Sequence, residues 1–525
     1  LSVTTRIVRR EYNLQEPWNT VLELSTTLKN LGSSVSSIDT IADALEGTSV
    51  VSNNDIRELV PFNHLRNSRA DDGLAYWVSS GFEADGENGA SGTASFKATG
   101  VAGMTKSLSQ TVNPSNRSSY TLSAQIASEN LKKLSNDAQV GIEVVIEYED
   151  GSTESRFIDF SKELMEFIDK SPSAFHVTAN FAEMLKKNGY SQLNEQDKWN
   201  LLPGEKYYVT RNGSSIIAFC VPKNNKISNF QIAAAHSDSP AFKIKENPEM
   251  VEDNRYLSLN VEKYGGMLMA PWFDRPLSVA GRIIVKDGMK IKPVLVNVER
   301  DLCIIPNLAI HMNREANTGV KYNPQKDMIP LFGELTSKGI FYKVMADVAG
   351  VNEDSIVSSD LFLYNRQKGT VLGCNGEFMS APRLDDIMCA YSCMKAHIAA
   401  GGSDSNSVTV CAIFDNEEVG STTKQGADST FLSDVLNRIG LCMGINGEDL
   451  IRAYSRSFML SADNAHGVHP NYMEKADPTN RPYMNNGIVI KYNANQKYTT
   501  DGMSAAVFKE ICKEAAVPTQ TYVNR

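Results

Sequence analysis

No run of apolar residues in this 525-residue chain approaches the roughly 20 needed to cross a bilayer. Its first residues also lack the short apolar core of a secretion signal. Cysteine is absent from the first 219 residues. The eight that follow, Cys220, Cys303, Cys374, Cys389, Cys393, Cys411, Cys442 and Cys512, show no ribbon or knuckle spacing. They read as free, reduced core thiols, the pattern of a cytoplasmic protein rather than a disulfide-stapled secreted one. Positive charge is short as well: 52 Lys and Arg stand against 62 Asp and Glu, a formal net charge of -10. Affinity for phosphate backbones comes largely from clustered basic side chains, so neither nucleic acid nor a membrane surface is an expected partner. Internal repeats and low-complexity tracts are missing. The chain begins with Leu1 rather than Met, as a processed chain or a fragment does. What is present is 42% hydrophobic and 22% charged, enough to bury real cores and to divide into several domains.

The texture changes near residue 160. Residues 1–55 are polar and irregular, with one short helical candidate at 36–45. Residues 56–160 are rich in Ser, Thr, Gly and Asn. Short alternating runs at 94–98, 119–126 and 140–148 predict an antiparallel β-sandwich there, and Asp150-Gly151 is a hairpin signal. Beyond 160, helix and strand signals alternate. Ser171-Pro172 predicts a helix with Pro in its first position, Phe175, Phe181, Met184 and Leu185 on one side, and Gly189 past its end. Strands are expected at 207–210, 216–221, 231–235, 408–414 and 487–491, and helices at 385–400, 431–439 and 504–516. Residues 247–377 are β-rich and full of turns. The expected organisation is an α/β domain, 163–246 plus 378–525, with a β-rich domain inserted at 247–377.

Four segments place carboxylates or histidine just past an apolar run or at a helix start. "AAAHSDSP" carries His236 and Asp238, "SAPRLDDIMCA" carries Asp385, "AIFDNEEVGS" carries Glu417 and Glu418, and "MLSADNAHGVHPN" carries Asp463. In open α/β sheets, ligands bind outside the carboxyl ends of the strands. Carboxylates converging there repel one another unless a cation neutralises them. One imidazole with several carboxylates suits zinc, manganese or cobalt. Each segment has a bland reading: a core histidine, a turn aspartate, a solvated Glu pair. Their joint occurrence after apolar strands is what points to a metal centre.

From about Glu163 onward the chain resembles the aspartyl aminopeptidase / aminopeptidase I family of zinc exopeptidases. The motifs "HSDSP", "PRLDD", "DNEEVGS", "ADNAHGVHPNY" and "IKYNANQKYTTDG" match it in order. The resemblance implies a mixed-sheet α/β exopeptidase domain with an inserted β-rich dimerisation domain. It implies two zinc ions per subunit, peptide substrates, and homo-oligomers in which dimers build to dodecamers. By this resemblance His236 and Asp463 are ligands of one zinc, Asp385 bridges both, and Glu418 is a ligand of the second. Asp238 holds the far nitrogen of His236, and Glu417 is the general base that draws a proton from a zinc-activated water. A cis peptide is implied between Asp385 and Asp386. His311 matches a residue that reaches a neighbouring subunit's site. Lys491 and Tyr498 match positions beside the substrate side chain, where a lysine would favour an acidic first residue.

The family continues past the equivalent of Arg525 to a further histidine of the second zinc site. The expectation from the resemblance is therefore a weak second site and impaired activity. At the front, "NHLRNSRADDGLAYWVSSG" and "GTASFKATGVAGMTKSLSQTV" resemble galactose-binding-like, carbohydrate-binding modules of phage-tail and cell-surface proteins. That implies a glycan partner for residues 56–160, preceded by a phage-tail-like segment at 1–55. The competing functional reading is a non-enzymatic glycan-binding or tail protein that carries an inert peptidase remnant.

Overall fold

The computed structural model describes residues 160–525 apart from 225, 375, 403–405, 516 and 524–525; before 160 it describes 2–9, 78–80, 82–85, 95–97, 106–112, 140–147 and 153–157. In the front part, strands β1 (Ser2–Arg9), β2 (Val78–Ser80), β5 (Lys106–Val112), β6 (Val140–Glu147) and β7 (Thr153–Phe157) form one antiparallel sheet in the order β2-β5-β1-β6-β7. Strands β3 (Glu83–Asp85) and β4 (Ser95–Lys97) pair separately. β6 and β7 pair with Glu147 opposite Thr153, as a hairpin requires. The Asp150-Gly151 turn, the helix candidate at 36–45 and the run at 119–126 lie outside the described residues, and the described strands do not by themselves make the expected sandwich.

Alternate side chains of β10 (Ser215–Cys220) are apolar on both sides, and all six residues are buried. Such a strand is stable only with cover on both faces. It sits inside a mixed sheet ordered β21-β11-β20-β10-β9-β8, built from β8 (Ser191–Leu193), β9 (Lys206–Arg211), β10, β11 (Asn229–His236), β20 (Ser407–Phe414) and β21 (Phe458–Ser461). Ile217 and Phe219 face α5 (Phe431–Cys442) and α6 (Gly447–Ser455), packing with Phe230, Phe414, Phe431, Ile439 and Leu450. Ile216 and Ala218 face the other way, onto α1 (Phe160–Asp169), α2 (Ala174–Lys187) and α4 (Leu384–Ala400), with Phe181, Leu185 and Met394. Each fully buried aliphatic or aromatic side chain here contributes about 1.5–3 kcal/mol relative to exposure. Pro172 precedes α2 rather than opening it: Ser173 is the N-cap and the helix starts at Ala174.

Directly after β11 the chain enters a second sheet. It is antiparallel and ordered β15-β14-β17-β12-β13-β16, from β12 (Ala241–Glu252), β13 (Tyr256–Tyr264), β14 (Leu277–Asp287), β15 (Lys290–Asn297), β16 (Leu331–Glu334) and β17 (Ile356–Asn365). The helix α3 (Phe341–Ala349) covers one face through Phe341 and Met345. A short pair, β18 (Thr370–Leu372) with β19 (Phe378–Ser380), leads back to α4. Beyond β21, β22 (Ile488–Tyr492) and β23 (Thr519–Val523) pair in parallel around α7 (Gly502–Glu514).

Three central strands, β20, β11 and β21, run parallel, with His236 opposite Phe414 and Ala234 opposite Ser461. Their carboxyl ends therefore open at one edge, where α4 also begins. Among the described residues no helix is long and apolar enough to cross a membrane.

Candidate metal centre

His236 is the last residue of β11, buried, with its side chain at the carboxyl edge of the sheet. Its Nδ1 donates to the carbonyl oxygen of Asp238 over 3.1 Å and lies 3.3 Å from the Asp238 carboxylate. That leaves Nε2 to face outward. Nε2 is 3.6 Å from Asp385 Oδ1, 3.9 Å from Asp386 Oδ2, 3.9 Å from Glu417 Oε2 and 4.0 Å from Asp463 Oδ1. Ligand atoms of His236, Asp385, Asp386 and Asp463 all lie within 4.8 Å of one another.

Local backbone explains how they meet. Asp385 and Asp386 interrupt the first turn of α4 with non-helical torsions, and the peptide between them is cis. After β20 the chain turns through Asn416, left-handed with φ of 67°, into a short 3-10 turn at Glu417–Val419. Asp463 follows β21 by two residues. It accepts an ion pair from Lys491 Nζ at 2.8 Å; the same ammonium donates to the Asn464 carbonyl oxygen and lies 5.4 Å from the Tyr498 ring centre. Lys491 and Tyr498 are thus brought to the cluster through Asp463. His311 is not: it lies on an exposed loop of the inserted domain. Glu418 is absent from the four-residue cluster and lies beside Gly265.

Charge is badly balanced. Burial raises Asp386 to about 7. Burial likewise lifts Glu418 to about 7, with His236 opposing and neighbouring carboxylates adding. Burial and Asp463 raise Asp385; burial raises Glu417, against the pull of His236. Burial opposes charge on His236, yet its bond to Asp238 and the surrounding carboxylates carry it up to about 10. Carboxylates outnumber the cationic groups His236 and Lys491 here, and Asp386 Oδ1 is buried without a hydrogen-bond partner. An imidazole nitrogen, several carboxylate oxygens and an orphaned buried oxygen fit a divalent cation, which would take the place of the proton on His236 Nε2.

Sequence reasoning from the residues did not single out Asp386, Tyr264 or Asn416. The Asp-Asp repeat in "PRLDD" was an available signal for Asp386. Tyr264 and Asn416 act through contacts between separate sheets, and the glycine pair after Tyr264 was the single local hint.

One histidine and several carboxylates that could hold a cation, at the carboxyl edge of a mixed sheet covered by helices on both faces, define the class as an α/β protein with a candidate metal centre. Comparison with known proteins narrows this. A family model described as Aminopeptidase I zinc metalloprotease (M18) matches residues 167–525. The chain is 47% identical over 375 residues to a probable M18 family aminopeptidase 2 of Clostridium acetobutylicum, across 70% of this chain and 86% of that protein. It is 40% identical over 374 residues to a probable M18 family aminopeptidase 2 of Pseudomonas aeruginosa, across 70% and 85%. Among solved structures, that of the Ape4 and Nbr1 complex superposes with a TM-score of 0.67 at 34% identity, covering 70% of this chain and 74% of that one. Chaetomium thermophilum mApe1 gives 0.64 at 31%, covering 69% and 86%. The chain belongs to the M18 family of zinc metallo-aminopeptidases. The competing reading, an inert remnant on a glycan-binding or tail protein, gains no support from these relatives.

Proposed function

We propose that residues 163–525 remove N-terminal residues from peptides, with Glu417 as general base. The observation that carries this reading is the convergence of His236, Asp385 and Asp463, with Asp386 beside them, within 4.8 Å, and with Glu417 Oε2 at 3.9 Å from His236 Nε2. His236, Asp385 and Asp463 would hold one zinc ion, three protein ligands being the pattern of catalytic zinc. Asp385 and Glu418 would contribute to a second. When bound, zinc supplies Lewis acidity and lowers the pKa of water.

The chain's own residues do the rest. Asp238 keeps the proton of His236 on Nδ1, so that Nε2 is the ligand atom. Glu417, with its carboxylate about half exposed to the cleft, accepts the proton of the attacking water and returns it to the leaving amine. Lys491, ion-paired with Asp463 at the cluster, supports a preference for acidic first residues, with Tyr498 beside it. One similar solved structure, described as an mApe1 dodecamer, together with exposed apolar side chains around His311, supports a homo-oligomer in which His311 completes a neighbour's site. Eight unpaired cysteines support a reducing compartment, the cytoplasm. The motif resemblance of residues 56–160 supports a glycan-binding role for that part.

Glu417→Gln tests the base. Turnover of aminoacyl-nitroanilides should fall by about 10²–10⁴-fold, the usual contribution of a general base, while zinc content by elemental analysis stays at the unaltered level. Retained turnover would remove Glu417 from this role.

A further inference from the structure

Tyr264 closes β13 of the inserted sheet, yet its hydroxyl reaches the metal centre. Several donors converge on the Asp238 carboxylate. Tyr264 Oη donates to Oδ2 over 2.7 Å. The backbone N–H of Glu417 donates to Oδ1 and that of Glu418 to Oδ2, both over 3.2 Å. His236 Nδ1 lies 3.3 Å from Oδ1. The tyrosine contact is the shortest of the four.

Its direction is fixed from behind. Asn416 Nδ2 donates to Tyr264 Oη over 2.8 Å and faces Asp415 Oδ1 at 3.3 Å. Asn416 Oδ1 accepts from Thr423 Oγ1 and Gln425 Nε2, both over 2.7 Å. A carboxylate oxygen can only accept from the asparagine, so the amide nitrogen is the end that faces Asp415 and Tyr264. With its oxygen already accepting from Asn416, the tyrosine hydroxyl has its proton left for Asp238. The ring packs edge-on against Phe362 of β17, centroids 5.5 Å apart, so packing aims the hydroxyl.

Asp238 thereby orients two things at once: the imidazole of His236 and the turn that carries Glu417 and Glu418. We propose that Tyr264 is a positioning residue supplied by the inserted domain, acting through Asp238 to set His236, Glu417 and Glu418 for metal binding and proton transfer. The proposal rests on the metal-site reading above. It makes the inserted sheet part of the site's geometry within a single chain, apart from any role in assembly.

Tyr264→Phe keeps the ring and deletes the hydroxyl. Zinc affinity, read by competition with a chromophoric chelator, should fall about tenfold or more, as when other partners of metal ligands are removed. On an aminoacyl-nitroanilide kcat should fall while KM stays within about threefold, because orientation rather than substrate binding is lost. In an Asp238→Asn background the same change should add less than about twofold to the loss, since both substitutions act through one carboxylate. Unaltered zinc affinity and kcat in Tyr264→Phe, or a full additional loss in the double variant, would overturn the proposal. Failure of the site reading itself has a different signature: zinc binding of the unaltered chain would survive His236→Ala.

Discussion

At the scale of single residues, the site depends on one backbone position without a side chain. Gly265 has φ of +76°, and a methyl group there would sit 3.0 Å from Glu418 Cβ and 3.4 Å from its carbonyl oxygen. Both the torsion and the clash penalise alanine. Gly265→Ala should cost about 1 kcal/mol or more from the backbone alone, and the displaced Glu418 should weaken zinc binding. Thermal unfolding and a zinc titration of the same variant check this; an unchanged midpoint with unchanged affinity would contradict it. The contact also shows what was readable at this scale. His236, Asp385, Glu417 and Asp463 follow apolar strands or open a helix, so local pattern exposes them. Tyr264, Gly265 and Asn416 matter because β13 and the turn after β20 meet in space, and no spacing within either segment records that meeting.

At the scale of elements, the strands of the central sheet were legible because burial on both faces writes a nearly continuous apolar run, as in β10 and β20. The short helix α6 was not, since only Leu450 and Ala453 are buried in it and two positions make no periodic pattern. Helix α1 carries Leu164, Phe167 and Ile168 at one-turn spacing, but it adjoins a polar stretch that blurs its start. Helix α4 has a consequence for acid stability. Its His397 is buried between Cys220 and Tyr190. Burial, with Lys206 nearby, lowers its pKa to about 3. The folded form is neutral where the unfolded chain already takes up a proton. Stability from this group is therefore present above about pH 6.5 and is lost as pH falls toward 3. The loss should reach about 2 kcal/mol by pH 5. His397→Gln should flatten the dependence of the urea midpoint between pH 7 and 5. An equally steep fall in the variant would assign the acid sensitivity elsewhere, to His176 for example, which burial and Arg383 lower to about 4.

At the scale of the whole molecule, the inserted sheet leaves the α/β domain five residues after His236, and the chain returns through Arg383 to Asp385. Both crossings flank the metal cluster. The same domain displays Leu308, Ile310 and Met312 in the open, with Met312 at 72% exposure, and His311 stands among them. Isolated exposed apolar residues are ordinary, but a run of them around a histidine that the family resemblance assigns to a neighbour's site is what a subunit interface would cover. Two substitutions separate assembly from chemistry. Met312→Asp places a charge in this exposed patch, so, if a neighbouring subunit packs there, the sedimentation coefficient should drop to that of a smaller species, with turnover falling alongside. His311→Ala removes only the imidazole, so the assembly should keep its size while kcat/KM falls on the order of tenfold or more, within the range of a single positioned polar group. A full-sized assembly in Met312→Asp would move the interface off this loop, and unaltered kcat/KM in His311→Ala would confine each site to the residues of its own chain.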